Sequence, residues 1–301
     1  MGFFVFVNYV IICVVNIMRL SRDWEDYKLI DAGNGEKLES WNGVILRRPD
    51  PQAMWPISGS DWKHVDGFYH RSDKGGGYWD FFKKLDDYWT VGYKNLKFKV
   101  SPTNFKHTGL FPEQAVNWDF MMDKIKNADR PIKVLNLFAY TGGATMACSS
   151  AGAVEVVHVD AAKGMVAWAK ENMELSGLSN NRIRFIVDDC LKFVLREARR
   201  GNKYDAIIMD PPSYGRGPNG EVWRLEDNLK ELLFKVKDIM DKDFDFILIN
   251  SYTTGVSPTS LNNILKLTFE GSRVETGEIA LPIEENNLVL PCGIYGKVTR
   301  D

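Results

Sequence analysis

Residues 204–215 read YDAIIMDPPSYG, and the reading of this stretch decides the fold. Its apolar run from Ala206 to Met209 is short and flanked by polar residues, as a fully buried strand is. Asp210 stands at the end of that strand. Pro211 and Pro212 follow, and neither has an N–H to give to a sheet ladder, so the chain leaves the sheet there and leaves it stiffly. Four similar runs repeat along the same half of the chain: IKVLNLF (132–138), VEVVHVD (154–160), RIRFIVDD (182–189) and FDFILIN (244–250). Helical stretches follow the five runs, starting at 143, about 163, 190, about 224 and about 258. Buried strands alternating with helices predict βαβ units and a parallel sheet. RVETGEIALP and NLVLPCGIYGKV close the chain as a predicted hairpin, and WDFMMDKIKNA (118–128) precedes the first run as a predicted helix.

The first part of the chain has another texture. Short runs such as GVILRRP, GFYHRS and YWTVGYKNLKFKVS are separated by turn chemistry in DAGNGE, RPDPQ and SDKGGG. This predicts a small, mostly antiparallel β domain over 20–118, with the α/β domain occupying 119–301. Residues 1–19 read as an apolar extension of non-native character with Met18 as the natural start, with a membrane anchor, or an extra strand or helix docked on the domain, as the other readings; the run from Phe3 to Met18 lacks a basic start and is short for a bilayer span.

Composition is that of a globular protein: 301 residues, 45% hydrophobic and 26% charged. A net charge of -2 gives no global nucleic-acid signature, so any RNA-binding surface must be local. WKHVDGFYHR and GYKNLKFKV, the latter carrying Lys94, Lys97 and Lys99, interleave basic and aromatic residues in a way that suits phosphate contact and stacking, or else an aromatic core with solvated lysines. Cys13, Cys148, Cys190 and Cys292 form no CxxC pair and no metal-like cluster, so free thiols in the cytoplasm, no metal and no membrane are expected.

Ligands of open α/β sheets bind at the carboxyl ends of the strands. The first end, NLFAYTGGAT (136–145), has two glycines but no GxGxxG, so the dinucleotide fingerprint fails and a ligand without a pyrophosphate is favoured. At the second, Asp160 can accept hydrogen bonds from ribose hydroxyls, or cap the next helix. At the third, Asp189 can address an adenine amino group, or again cap a helix. At the fourth, Asp210 and the Pro211 carbonyl can both accept from one amino group, and Tyr214 can stack on the ring that carries it.

Taken together, VLNLFAYTGG, VEVVHVDAAKGMVAWAKENMELSG, FIVDDCLKFV and YDAIIMDPPSYGRG resemble a class I S-adenosylmethionine-dependent methyltransferase over about 110–301. More narrowly, the chain is similar to the 23S ribosomal RNA large-subunit cytosine-C5 methyltransferases and their relatives, in which a small β domain and a segment like HTGLFPEQAVNWDFM (107–121) precede the catalytic domain. The resemblance implies a Rossmann-like, seven-stranded sheet with the last strand antiparallel, and S-adenosyl-L-methionine as cofactor. It implies that Asn136, Phe138, Ala139, Tyr140 and Gly142 wrap the methionine part. Asp160 would hold the ribose, Ala161 pack on the adenine, and Asp189 with Cys190 meet its edge. Phe111 and Gln114 would close the pocket. Members of the family often carry an RNA-binding PUA domain, for which the residues before the β domain are too few.

One departure matters. C5 methylation needs a cysteine thiolate, which the family places after the fifth strand; here that segment is Asn250, Ser251, Tyr252, Thr253. Nitrogen methylation of an RNA base, with catalysis by Asp210, Pro211 and Tyr214, is therefore the expected activity. A small-molecule or protein methyltransferase, and a non-catalytic cofactor or RNA binder, are the other readings.

Overall fold

The computed structural model describes residues 17–59, 61–72, 76–103, 106–216, 222–253 and 255–300. A short strand, β1 (Ile17–Leu20), comes first. Five strands then form the small sheet: β2 (Tyr27–Gly33), β3 (Glu36–Trp41), β4 (Val44–Pro49), β5 (Gly67–Arg71) and β6 (Gly77–Phe81). They lie in chain order and pair antiparallel except for β4 with β5. Asn34-Gly35 and Asn42-Gly43 turn the first two hairpins with positive φ at both residues, which is what an Asn-Gly hairpin turn supplies. A separate hairpin follows, β7 (Trp89–Tyr93) and β8 (Leu96–Val100).

Beyond a 3₁₀ turn at Pro112–Gln114 come α1 (Ala115–Lys126), β9 (Lys133–Leu137), α2 (Gly143–Ser150), β10 (Glu155–Asp160), α3 (Lys163–Leu175), β11 (Ile183–Val187), α4 (Cys190–Arg200) and β12 (Ala206–Met209). The chain continues through the hairpin β13 (Tyr214–Arg216) and β14 (Val222–Arg224), then α5 (Leu225–Ile239), β15 (Phe246–Ser251), α6 (Pro258–Thr268), β16 (Arg273–Pro282) and β17 (Val289–Thr299). The large sheet has the order β1-β16-β17-β15-β12-β9-β10-β11. Every pairing is parallel except those of β17, which runs antiparallel to both neighbours. The chain winds outward from β9 in both directions, so the switch point lies between the carboxyl ends of β9 and β12, where Phe138 and Asp210 stand.

The sheet has eight strands rather than the expected seven. Ile17–Leu20 pairs with Gly277–Ala280 on the edge of β16, so the tail of the apolar extension is a strand docked on the sheet, rather than outside the fold as the reading of a non-native extension had it. The rest of that extension, residues 1–16 with Cys13, lies outside the described residues. The expected boundary at 118/119 likewise falls inside α1. Trp118 of that helix packs on Trp24, Tyr93 and Phe98 at centroid distances of 5.9, 5.6 and 5.2 Å, so the β part and the α/β part share one apolar core. Burial of such aromatic surface, not a linker, joins them.

The β7–β8 hairpin has an apolar inner face and a basic outer one. Val91, Tyr93, Leu96, Phe98 and Val100 are buried. Lys94 pairs with Asp119 at 2.5 Å and Lys99 with Glu171 at 2.6 Å, so these lysines pin the hairpin to α1 and α3.

Candidate active site

The loop after β9 is the tightest part of the site. Phe138 and Tyr140 hold φ of 54° and 50°, a left-handed backbone that side chains rarely adopt. Asp160 holds the loop there: its carboxylate accepts from the Tyr140 N–H and the Ala162 N–H, each at 2.8 Å. Burial raises its carboxyl, and these two amides partly offset that. Gly142 caps α2 with φ of 87°, and a Cβ there would stand 3.1 Å from Ala169 and Met146. Gly142 therefore shapes the loop and lines no cavity.

Beneath the loop is a buried polar chain. Asn136 donates to Thr145 Oγ1 at 2.9 Å, and Thr145 meets His158 Nδ1 at 2.9 Å. Burial pushes the His158 imidazole down to about 3, so it is neutral. Asp189 caps α4, accepting from the Lys192 N–H at 2.8 Å, and still lines the cavity. The cap and the ligand position coexist on one side chain.

Two adjoining cavities lie over these strand ends. The larger, about 370 Å³, is walled by Phe111, Phe138 and Tyr140 on one side. Asp160, Ala161, Asp189 and Cys190 wall a second side, and Asp210, Pro211 and Pro212 a third. A smaller cavity of about 50 Å³ reaches Gln114, Asn136 and Ala139 and shares Phe111, Tyr140 and Asp210 with the first. The structure thus gathers every expected site residue around these cavities except Gly142 and Tyr214.

Tyr214 is a correction. It begins β13, paired with Arg224, is half exposed and lines neither cavity, whereas the next pair of the hairpin, Gly215 and Trp223, lines the larger one. The aromatic beside the proline turn is Trp223. Its indole N–H donates to the Pro212 carbonyl at 2.7 Å, and its ring lies 5.2 Å from Phe138. Tyr252, at the fifth strand end, was also missed as a site residue. It stands 5.5 Å from Phe111, and its hydroxyl accepts from Gln114 Nε2 at 2.6 Å. Its place after β15 was the available signal; Trp223 had none, since only tertiary folding returns it to the turn.

Asp210 combines burial with charge. Burial first, and the Glu113 carboxylate second, raise it to about 7. Cys190 takes the Phe138 N–H at 3.2 Å and its thiol is pushed up by burial. Cys148 is buried in α2, likewise raised.

A family profile described as S-adenosylmethionine-dependent methyltransferase matches residues 51–242. The chain belongs to that family. A crystal structure of an S-adenosylmethionine-dependent methyltransferase from Agrobacterium tumefaciens is 37% identical, covers 95% of this chain and 94% of its own, and superposes with a TM-score of 0.91. A methyltransferase structure complexed with SAH is 16% identical with a TM-score of 0.70, covering 92% of this chain and 76% of that one, and speaks for the fold alone. Among curated proteins, ribosomal RNA large subunit methyltransferase K/L of Shewanella frigidimarina is 33% identical over 156 residues. That match takes in 52% of this chain and 21% of the relative, so the methyltransferase spans about a fifth of such relatives.

The cofactor of this methyltransferase is S-adenosyl-L-methionine, and its larger cavity fits that ligand. Its volume of about 370 Å³ is within the usual range of roughly 300–1,000 Å³ for small-molecule sites. Acidic Asp160 and Asp189 line it together with Asp210, and aromatic rings supply most of one wall. When bound, the cofactor supplies an electrophilic methyl group on a sulfonium.

Proposed function

We propose that this enzyme methylates a base nitrogen in RNA, with ribosomal RNA as the first substrate to test, in the cytoplasm. Asp210 carries the proposal: a half-buried carboxylate at the switch point, followed by two prolines and lining both cavities. The names of the curated K/L relatives support RNA as the substrate class. In this reading Asp160 and Asp189 hold the ribose and adenine parts of the cofactor, while the strained loop from Phe138 to Tyr140 wraps its methionine part. Asp210 accepts a hydrogen bond from the acceptor N–H, orienting the nitrogen and stabilising the positive charge that develops there. Pro211 and Pro212 keep that geometry with little conformational entropy to lose. Phe111, Tyr252 and Trp223 exclude water.

A thiolate mechanism is less suited to these residues. Cys190 is occupied by a backbone N–H. Cys292 lines the neighbouring cavity rather than the cofactor cavity, and burial, then the Glu113 carboxylate, push its thiol up, away from the thiolate that attack requires. The test is incubation of the enzyme with radiolabelled S-adenosylmethionine and fractionated cellular RNA, followed by nucleoside analysis. Label on a base nitrogen is expected, with turnover retained when each cysteine is replaced by serine. Label on a base carbon, or a covalent RNA adduct, would overturn the nitrogen assignment.

A further inference from the structure

A second large cavity, about 480 Å³, lies behind Phe111, Tyr252 and His107, which wall both it and the cofactor cavity. The small sheet contributes Lys37 and Arg48 to it and the turn after β4 contributes Asp50; the segment before α1 contributes Lys106 and Glu113. Most of these charges are spoken for. Arg48 grips Glu39 through two hydrogen bonds of 2.6 and 2.8 Å, and Lys37 pairs with Glu39 and Asp50 at 3.6 and 3.2 Å. Glu113 and Lys106 are not. Among the described residues, neither side chain enters a salt bridge or a hydrogen bond with another side chain. Glu113 is nonetheless only 6% exposed.

The Glu113 carboxylate accepts from its own backbone N–H and lies in the field of Lys37, yet burial outweighs both and pushes its pKa up. A buried carboxylate held by so few donors is costly, and its place on a cavity wall points to a ligand that brings a further donor. We propose that this cavity is the acceptor subsite, that Glu113 recognises the target base by accepting from its amino group, and that Lys106 takes a phosphate of the same strand. The proposal rests on the RNA-base reading above. The chemistry of the carboxylate sets the selectivity. An ionised carboxylate only accepts, so it binds the edge of a base that carries an amino group and repels the carbonyl-flanked edge of uracil. The shared wall of Phe111 and Tyr252, with ring planes 30° apart, offers flat surfaces against which such a base can lie on its way to Asp210.

Glu113→Gln tests this, because glutamine keeps the shape and adds a donor. The four nucleoside 5′-monophosphates are titrated into enzyme saturated with S-adenosylhomocysteine, and RNA methylation kinetics are measured on the same proteins. Wild type should bind AMP, CMP and GMP about tenfold or more tighter than UMP. Glu113→Gln should shrink that preference to about twofold and raise KM for RNA about tenfold or more, with S-adenosylhomocysteine affinity unchanged. Lys106→Ala should weaken all four monophosphates alike and leave unphosphorylated nucleosides unaffected. The subsite is overturned if wild type shows no preference for amino-bearing bases, or if Glu113→Gln keeps both preference and KM while RNA is still labelled. Absence of label from every RNA fraction with wild type overturns instead the RNA reading on which the subsite depends.

Discussion

Gln114 donates a 2.6 Å hydrogen bond to the Tyr252 hydroxyl, across 138 positions of sequence. Its amide oxygen in turn accepts from Asn117 at 3.0 Å, and Asn117 also donates to Asn250 Oδ1 at 2.9 Å. The turn before α1 and the fifth strand end are thereby locked into one wall of the site. Gln114→Ala removes the Tyr252 hydroxyl's donor and one of the two acceptors of the Asn117 amide, leaving Asn117 only Asn250, and should cost about 1–3 kcal/mol of stability, while Tyr252→Phe, which orphans only the Gln114 amide, should cost less. Denaturant unfolding of both variants checks this; equal costs would mean that the bond to Asn117 contributes nothing.

Asp210→Ala should slow methyl transfer by roughly 10²–10³-fold with cofactor affinity little changed. Calorimetry and single-turnover rates on the same preparation separate the two effects, and a large loss of cofactor binding would reassign Asp210 to the cofactor.

The Asp210 carboxyl is raised in the folded protein from an ordinary 3.8 to about 7 by burial, then Glu113. A raised folded value favours folding below the unfolded pKa, and that contribution is lost as pH rises through about 7. Asp210→Asn, which never ionises, should therefore be more stable than wild type near pH 8, by about 1–3 kcal/mol, and gain nothing near pH 4. Melting curves at the two pH values decide; an advantage independent of pH would rule out a titrating Asp210.

Asp160→Ala removes the acceptor of the Tyr140 and Ala162 amides and, in the proposed reading, the acceptor of the ribose hydroxyls. Cofactor affinity should fall by roughly 1–3 kcal/mol, since both the ligand and the strained loop lose their partner. Unchanged affinity by calorimetry would remove Asp160 from the cofactor site.

Glu39 is fully buried, and accepts from the Tyr27 hydroxyl at 2.8 Å as well as from Arg48. Burial alone would raise its carboxyl, but Arg48 and Lys37 hold it at about 2, against an ordinary 4.5. A depressed folded value stabilises above the unfolded pKa, and this is lost as pH falls through about 2. Glu39→Gln should cost about 3–5 kcal/mol at neutral pH, because Arg48 stays buried without its counter-charge, and much less near pH 2. Urea unfolding at both pH values measures this.

Local sequence was enough for the alternation of strands and helices, the Asn-Gly turns and the acidic strand ends. Each is written in a few consecutive residues: a short apolar run, a pair that tolerates positive φ, a carboxylate where the run stops. Asp160, Asp189 and Asp210 were legible for that reason, as were the loop from Asn136 to Tyr140 and the reversed last strand that the family resemblance implied. Other features arise only from contacts between distant segments. Ile17–Leu20 reads as the end of an apolar tail until the open edge of β16 gives its backbone groups partners. Tyr214 and Trp223 are both aromatics near the proline turn, and only the pairing of β13 with β14 decides that Trp223 faces the cavity. The pairing of Lys94 with Asp119 and of Lys99 with Glu171 comes from α1 and α3 packing on the hairpin, which no local stretch of sequence shows. Glu113 is one carboxylate among many in the sequence; what sets it apart is burial on a cavity wall with no side chain bonded to it among the described residues, because desolvation and pairing belong to the packed surroundings of a side chain and not to its neighbours along the chain.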